Sequence, residues 1–329
     1  MSESQPLLLE TAERLFAEVN AAAFDAAWAK TSELGLDGLL VSESEGGFEG
    51  DWDDAFAVVR RAGAHVLAMP VGEAIVAAHL ATGAGFPRDG FATLAGRAVG
   101  DIDVKGRFSG RLEASAWGGD ARNVLFDTPE GLACAAVADA RVERRLNPAG
   151  DARDTLIFDG ASVRRADSAI SVVAAGAFVR IAQIAGALDA ALALSIQYAN
   201  ERSQFGKPIG KFQAVQQALA LFAEEAAAVN CAGQAAARAM DRGEARFEIA
   251  AAKVRANMAA AIGAATAHQV HGAIGFTQEH GLHRLTRRLV SWRSEFGSER
   301  FWAEQIGASV CACGAEALWP FLTARGDTA

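Results

Sequence analysis

Tyr198-Ala-Asn-Glu-Arg-Ser-Gln-Phe-Gly-Lys-Pro-Ile-Gly-Lys-Phe-Gln-Ala-Val-Gln-Gln-Ala218 is the stretch on which the reading of this chain turns. An Ala/Leu-rich helical run stops at Gln204-Phe205-Gly206, Pro208 makes a turn, and a new helix starts near Phe212. Gly just past a helix and Pro shortly after it are stop signals. The content of this stop is unusual. Arg202, Gln204 and Phe205 place a fixed cation, an amide and an aromatic face together where a helix ends. A guanidinium holds a phosphate and a ring stacks on a heterocycle, so the set suits a phosphate-bearing aromatic ligand. A capped helix hairpin with a buried Phe and a solvated Arg reads the same way.

A second stretch bears on that choice. Residues 268–288 run His-Gln-Val-His-Gly-Ala-Ile-Gly-Phe-Thr-Gln-Glu-His-Gly-Leu-His-Arg-Leu-Thr-Arg-Arg, and Gly272 and Gly275 permit close backbone approach to a ligand. Arg-Ser-Gln-Phe-Gly-Lys-Pro-Ile with its downstream Phe-Gln-x-Val-Gln, followed by Gln-x-x-Gly-x-x-Gly-Phe-Thr-x-Glu, resembles the C-terminal helical domain of the acyl-CoA dehydrogenase family. The resemblance spans roughly 170–310 and extends to 1–90, but is poor between them.

Length and composition bound the rest. The chain has 329 residues, room for two or three folding units. Hydrophobic residues make up 51%, Ala is very frequent and there is a single Tyr, which favours a mostly helical protein. The net charge of −9 argues against a nucleic-acid partner; the Arg-rich patch at 284–293 is local. Cys134, Cys231, Cys311 and Cys313 form no CxxC pair and read as free thiols of a reducing cytoplasm. The N-terminus is acidic and lacks the basic region of a secretory signal. The apolar runs carry charges at helical intervals, so no membrane span is expected.

In chain order, 5–35, 52–66 and 70–83 read as amphipathic or apolar helices, with an acidic Gly-rich loop at 42–50. That loop is no phosphate cradle, because its carboxylates would repel phosphate. Residues 92–165 carry short runs broken by Gly, Asp and Pro, which read as strands. The run 168–200 is apolar nearly all round and belongs inside a bundle. Helices follow at 212–241, 246–272, 278–292 and 298–320.

The resemblance implies an acyl-CoA dehydrogenase-like, mostly α fold. It comprises an N-terminal helical domain (1–90), a small, shortened antiparallel β-domain (91–166) and a C-terminal four-helix-bundle domain (167–329). It implies FAD as cofactor and an acyl-CoA thioester as substrate of α,β-dehydrogenation, with electron-transfer flavoprotein as electron acceptor. It carries FAD contacts onto Arg202, Gln204, Phe205, Gln269 and Gly272. In the family these residues come from a neighbouring subunit and grip the adenosine diphosphate end. The family's Thr-Glu-Pro loop, which shelters the flavin ring, is not found in 84–130. Trp117 corresponds to an aromatic near the flavin or is simply core.

The family's usual base is a Glu in a Glu-Gly-Thr element after the last motif. Counting without gaps from Gln269 puts Phe296 there, and Phe accepts no proton. Glu295 is adjacent: on a loop a one-residue shift brings it in, whereas on a helix one step turns it by ~100°. The alternative for Glu295 is a surface carboxylate paired with Arg293 or Arg300. A second place for the base, on the helix opening near 170–178, holds no carboxylate. The short β-region, the missing loop and the missing base resemble the shorter subunit of heteromeric (α2β2) steroid-degrading acyl-CoA dehydrogenases. Two alternatives stand beside that expectation: a self-sufficient homo-oligomer using Glu295, and a flavin-free structural partner. His280 and His283 have a metal-compatible spacing without evident further ligands, so no metal is expected.

Overall fold

The computed structural model describes residues 5–20 and 22–326. Four helices open the chain: α1 (Gln5–Val19), α2 (Phe24–Glu33), α3 (Trp52–Ala64) and α4 (Val71–Gly83). Asp51 caps α3 by accepting from Asp54 N. The acidic stretch at 42–50 makes turns between α2 and α3.

Seven strands follow: β1 (Ala92–Leu94), β2 (Arg97–Ile102), β3 (Arg107–Ala116), β4 (Asn123–Thr128), β5 (Gly131–Ala136), β6 (Arg141–Glu143) and β7 (Arg153–Ala166). The sheet order is β1-β4-β5-β7-β3-β2, with β6 also on β7. All pairings are antiparallel except β1 with β4, which is parallel, so the sheet is mixed rather than purely antiparallel. Phe108, Leu112, Trp117, Phe126, Leu156 and Phe158 form its own apolar core.

The C-terminal half is helical: α5 (Val172–Glu201), α6 (Gln213–Asp241), α7 (Arg246–His271), α8 (Leu282–Trp292), α9 (Glu299–Cys313) and α10 (Ala315–Gly326). The expected single helix over 298–320 is two. Gly314 takes φ +79°, open to Gly without steric cost, and α9 and α10 meet at 116°. Ser171 caps α5 by accepting from Ala174 N, and Asp127, at the end of β4, accepts from Val172 N (2.7 Å) and Val173 N (3.0 Å). A carboxylate there satisfies free amides and complements the positive end of the helix dipole.

Helix α5 is the hub of one large core shared by the N-terminal helices and the bundle. Contrary to the sequence expectation, it is long and apolar enough to meet the length and composition of a membrane span. Its two interior charges, Arg180 and Asp189, are too few to lower the hydropathy. They are paired internally, Asp189 with Arg60 at 2.7 Å, and 72% of the apolar window is buried in the protein.

Candidate functional site

The helix stop at 202–208 folds into a miniature hairpin. Ser203 pairs with Pro208 and Gln204 with Lys207. Arg202 O accepts from Ile209 N at 2.8 Å, closing its base. Phe205 (φ +51°) and Gly206 (φ +78°) form the tip, both left-handed as a two-residue hairpin turn requires. Gly bears this freely, but an aromatic residue does not, at a cost of order 1 kcal/mol. Phe205 is nevertheless 91% exposed, so burial does not hold it there. Its ring meets Phe212 edge-on at 6.2 Å, and Lys207 Nζ lies 4.4 Å from the Phe212 ring centroid.

The second motif arrives from the end of α7. Gln204, Phe205, Phe212, Val215, Gln269 and Val270 line one surface cavity of about 330 Å³. Beneath it, Ala199, Ile209 and Val270 make a small core of their own. Two of the expected contacts stand beside the cavity rather than in its wall. Arg202 caps α5 at the hairpin base, exposed, and no carboxylate among the described residues pairs with it. Gly272 follows α7 at φ +62°, exposed, with open space where a Cβ would stand. An aromatic face, two amides and an unpaired guanidinium therefore gather at one surface from segments over sixty positions apart.

The neighbouring histidines serve the fold. His271 stacks on Tyr198 at 4.6 Å and meets His280 at 4.7 Å, while His283 Nδ1 lies 2.8 Å from His280 O. Among the described residues no three His, Cys, Asp or Glu side chains converge as metal ligands.

The loop after α8 presents a different picture. Glu295 lies on this loop and is mostly buried, its partners being neither Arg293 nor Arg300. Its Oε2 accepts from Arg180 Nε (2.6 Å) and Arg153 Nε (3.1 Å), and its Oε1 from Asn147 Nδ2 (2.9 Å). Arg180, fully buried in α5, also donates to Glu73 Oε1 and Gln183 Oε1, each at 2.6 Å. Burial pushes the Glu295 carboxyl up, but the Arg153 and Arg180 guanidiniums outweigh it and hold it at about 2. A general base works best with a pKa near the operating pH and a free oxygen. Glu295 has neither, and this geometry gives it a structural part instead.

Phe296 completes the change of use. Its backbone is left-handed (φ +53°), its ring is buried against Gly176 of α5, where any methyl would collide, and Arg180 lies 5.3 Å from the ring centroid. Trp302 Nε1 donates to Phe296 O at 2.9 Å. Lys253, fully buried in α7, donates to Trp292 O (3.1 Å) and Asn257 Oδ1 (2.6 Å), while Asn257 donates to Gly297 O. Burial and the nearby Arg180 lower the Lys253 ammonium to about 7.

Trp117 faces the same network. The Arg153 guanidinium lies over its ring at 5.4 Å and bonds Glu295 with its own edge, while Phe24 stacks on Trp117 at 6.3 Å. Trp117, Arg153, Glu295, Arg180 and Glu73 thus form one continuous buried column. Sequence reasoning missed Arg153, Arg180, Glu73 and Lys253. For Arg180 and Glu73 the available signal was a lone charge inside an apolar helical run, since such residues are almost never fully buried unless paired, whereas Arg153 opens a strand among charged neighbours and Lys253 has Arg255 close by.

Residues 166–311 match the profile of the acyl-CoA dehydrogenase C-terminal domain. The chain is 30% identical over 321 residues to acyl-CoA dehydrogenase FadE34 of Mycobacterium tuberculosis, a match covering 89% of this chain and 43% of that one. The chain belongs to the acyl-CoA dehydrogenase family. It spans less than half the length of the curated relatives it matches. As an acyl-CoA dehydrogenase fold it superposes on the ChsE4-ChsE5 complex of M. tuberculosis with a TM-score of 0.83 at 22% identity, covering 96% of this chain and 99% of that one. A glycine-to-alanine variant of the Tcur3481-Tcur3483 steroid ACAD gives 0.85 at 22% identity, covering 93% and 97%.

FAD is the family's cofactor. The open cavity with its exposed ring, paired amides and unpaired guanidinium fits the adenosine diphosphate tail. The ring end does not fit in the same way. The Arg153 guanidinium lies between Trp117, by the sequence reading either an aromatic near the flavin or simply core, and Glu295, in contact with both.

Proposed function

We propose that this acyl-CoA dehydrogenase chain is the shorter subunit of a heteromeric (α2β2) enzyme that dehydrogenates a bulky acyl-CoA thioester, and that it lends the nucleotide-tail half of a shared FAD site. One observation carries the reading: Arg153 fills the space between Trp117 and Glu295, whereas the cavity at Phe205 and Gln269 is open at the surface. FAD, when bound, accepts the hydride that leaves the β-carbon. This chain's residues bind and orient its tail. Phe205 offers its face to the adenine, Arg202 neutralises the diphosphate, and Gln204 and Gln269 supply amide contacts. Exposed Gly272 lets the backbone approach closely.

The α-proton goes to a carboxylate of the partner, because Glu295 is committed to two guanidiniums. Electrons leave to electron-transfer flavoprotein, and the assembly acts in the cytoplasm. The similarity to a steroid ACAD supports a steroid side-chain CoA ester as the bulky substrate.

The test is purification of the chain alone and after co-expression with the product of the neighbouring reading frame. The expected result is colourless protein alone and, with the partner, yellow protein oxidising acyl-CoA. Stoichiometric FAD with turnover from the chain alone would favour the self-sufficient enzyme. Flavin absent from both preparations would leave only a structural subunit.

A further inference from the structure

The cavity at Phe205 and Gln269 has two arms, one from the end of α5 and one from the end of α7, and a ring stack joins them from behind. Tyr198 stands in the last turn of α5, and its carbonyl accepts from Arg202 N at 2.8 Å. His271 is the last residue of α7, two past Gln269 and one before Gly272. The two rings stack at 4.6 Å with 24° between their planes. His280, from the segment before α8, meets His271 at 4.7 Å and Tyr198 at 6.3 Å. Further back, α5 and α7 carry buried alanines along their length, but at their ends only Ala199, Ile209 and Val270 make a core. The stack is therefore a large part of what holds the two ends together.

The bonds of the cluster fix its proton count. A carbonyl only accepts, so the 2.8 Å contact of His271 Nδ1 with Ala267 O puts the hydrogen of the neutral ring on Nδ1. Nε2 is then bare, and it is buried with no partner among the described residues. His280 Nδ1 accepts from Leu282 N at 3.2 Å, a bond that a doubly protonated ring would lose. His271 itself is 3% exposed. A second proton on it would place a charged N–H where nothing receives it, which is costly in a buried place. Burial, joined by His280 and His268, lowers the His271 pKa from its ordinary value.

The groups facing the ring all favour the neutral form. Helix α5 presents Tyr198, the segment before α8 presents His280, and α7 itself presents His268. His268 Nε2 lies 2.9 Å from Thr286 Oγ1 of α8, and burial lowers its pKa too. Among the described residues the histidine paired with a carboxylate is His65, not His271. Glu279, next to His280 in the chain, bonds Thr277 instead. Gly275 closes the remaining side: a Cβ on it would stand 3.0 Å from His271 Cβ and 3.3 Å from His268 Nδ1.

We propose that neutral His271 is a positioning residue that clamps the end of α5 to the end of α7, and that its protonation opens the clamp and releases the nucleotide tail of FAD. The release rests on the shared-site reading above. A charged ring leaves Tyr198, and the arm with Arg202 and Phe205 then parts from the arm with Gln269 and Gly272. Acid thereby competes with FAD: each pH unit below the pKa of one linked proton lowers the affinity about ten-fold. The effect sets in as pH falls below the ordinary imidazole value of about 6.5 and precedes the loss of Glu295 stabilisation below about 4.3.

The chain has a single Tyr, so fluorotyrosine labelling gives one fluorine resonance, and it comes from the stack. That resonance is followed on the full-length chain from pH 7.5 to 5, with deuterium uptake at 203–209 corrected for intrinsic exchange. Wild type is compared with His271→Phe, which keeps a ring, and His271→Gln, which does not; neither binds a proton. Circular dichroism confirms that each keeps its helices. In wild type the resonance is expected to move and uptake to rise about ten-fold with acid. His271→Phe should stay closed and His271→Gln open, both independent of pH. In the complex with the product of the neighbouring reading frame, FAD affinity should fall with pH in wild type alone. A wild-type resonance that stays in place, or that moves equally in both variants, overturns the clamp. FAD held equally or more tightly in acid, as a diphosphate facing a free imidazolium would be, overturns the release and leaves the clamp standing. Absence of flavin from the co-expressed preparation removes the shared site, while the resonance still decides the clamp.

Discussion

Arg180 Nε meets Glu295 Oε2 at 2.6 Å, joining the middle of the central helix to a loop 115 residues further along the chain. The guanidinium is fully buried and its other edge reaches Glu73. Removing one member of such a set leaves an uncompensated buried charge, which costs more than the intact pair contributes.

Glu295→Gln should therefore destabilise the fold by about 3 kcal/mol, measured as the shift of the urea midpoint at constant slope. The variant also tests the pH dependence. The folded carboxyl titrates at about 2, against about 4.3 unfolded. A lowered folded value means that the stabilisation is complete above the unfolded pKa and is lost as pH falls through 4.3 towards 2. The wild type should lose about 3 kcal/mol over that window through this group, and the variant should lack that part of the slope.

Lys253 has the same sign of linkage in a higher pH window. Its folded pKa is about 7, against about 10.4 unfolded. Between those values the unfolded chain holds a proton that the native chain has released, so stability rises as pH climbs from 7 towards 10. Below pH 7 both states are protonated and the cost of burying the charge is felt in full. Lys253→Met should flatten this rise, and its stability relative to wild type should fall steadily from pH 6.5 to 9.5 in guanidinium titrations.

Phe205→Gly should raise the thermal stability of the isolated chain. It relieves the left-handed strain at the hairpin tip, worth about 1 kcal/mol, and gives up a ring that is already in water. The same substitution should cost the complex its flavin, read as the ratio of flavin to protein absorbance. Stability gained together with cofactor lost is the mark of a residue kept for binding.

Gly176→Ala should be destabilising by about 2 kcal/mol through overpacking against Phe296. Adding Phe296→Ala should recover part of the loss, because the two sites share one contact and their effects do not add. A double variant as unstable as the sum of the single ones would show that the ring is free to move aside.

How much of this could be read beforehand depends on how local each determinant is. The stop at Phe205-Gly206 was visible because Gly and Pro act within a few residues, and the long helices were visible from their periodicity. Strands β1 and β6, each of three residues, are too short to show alternation. The break at Gly314 hides in an Ala-rich run that continues on both sides. The fate of Glu295 could not be read at all. Its partners Arg153 and Arg180 lie 142 and 115 positions away, and which of two functions a carboxylate serves is decided by those neighbours. Nor does apolar character along α7 say which residues are covered: Ile249 is buried, whereas Met258 and Ile262 are exposed.

The cap on α5 has one more outcome. Asp127 belongs to the sheet, yet it holds the first two amides of the longest helix in the bundle. Deuterium uptake at Val172 and Val173 will therefore follow the opening of β4, not the fraying of the helix they begin. A lesion confined to the strands would be felt first as a loosened start of α5, far from the damaged hairpin.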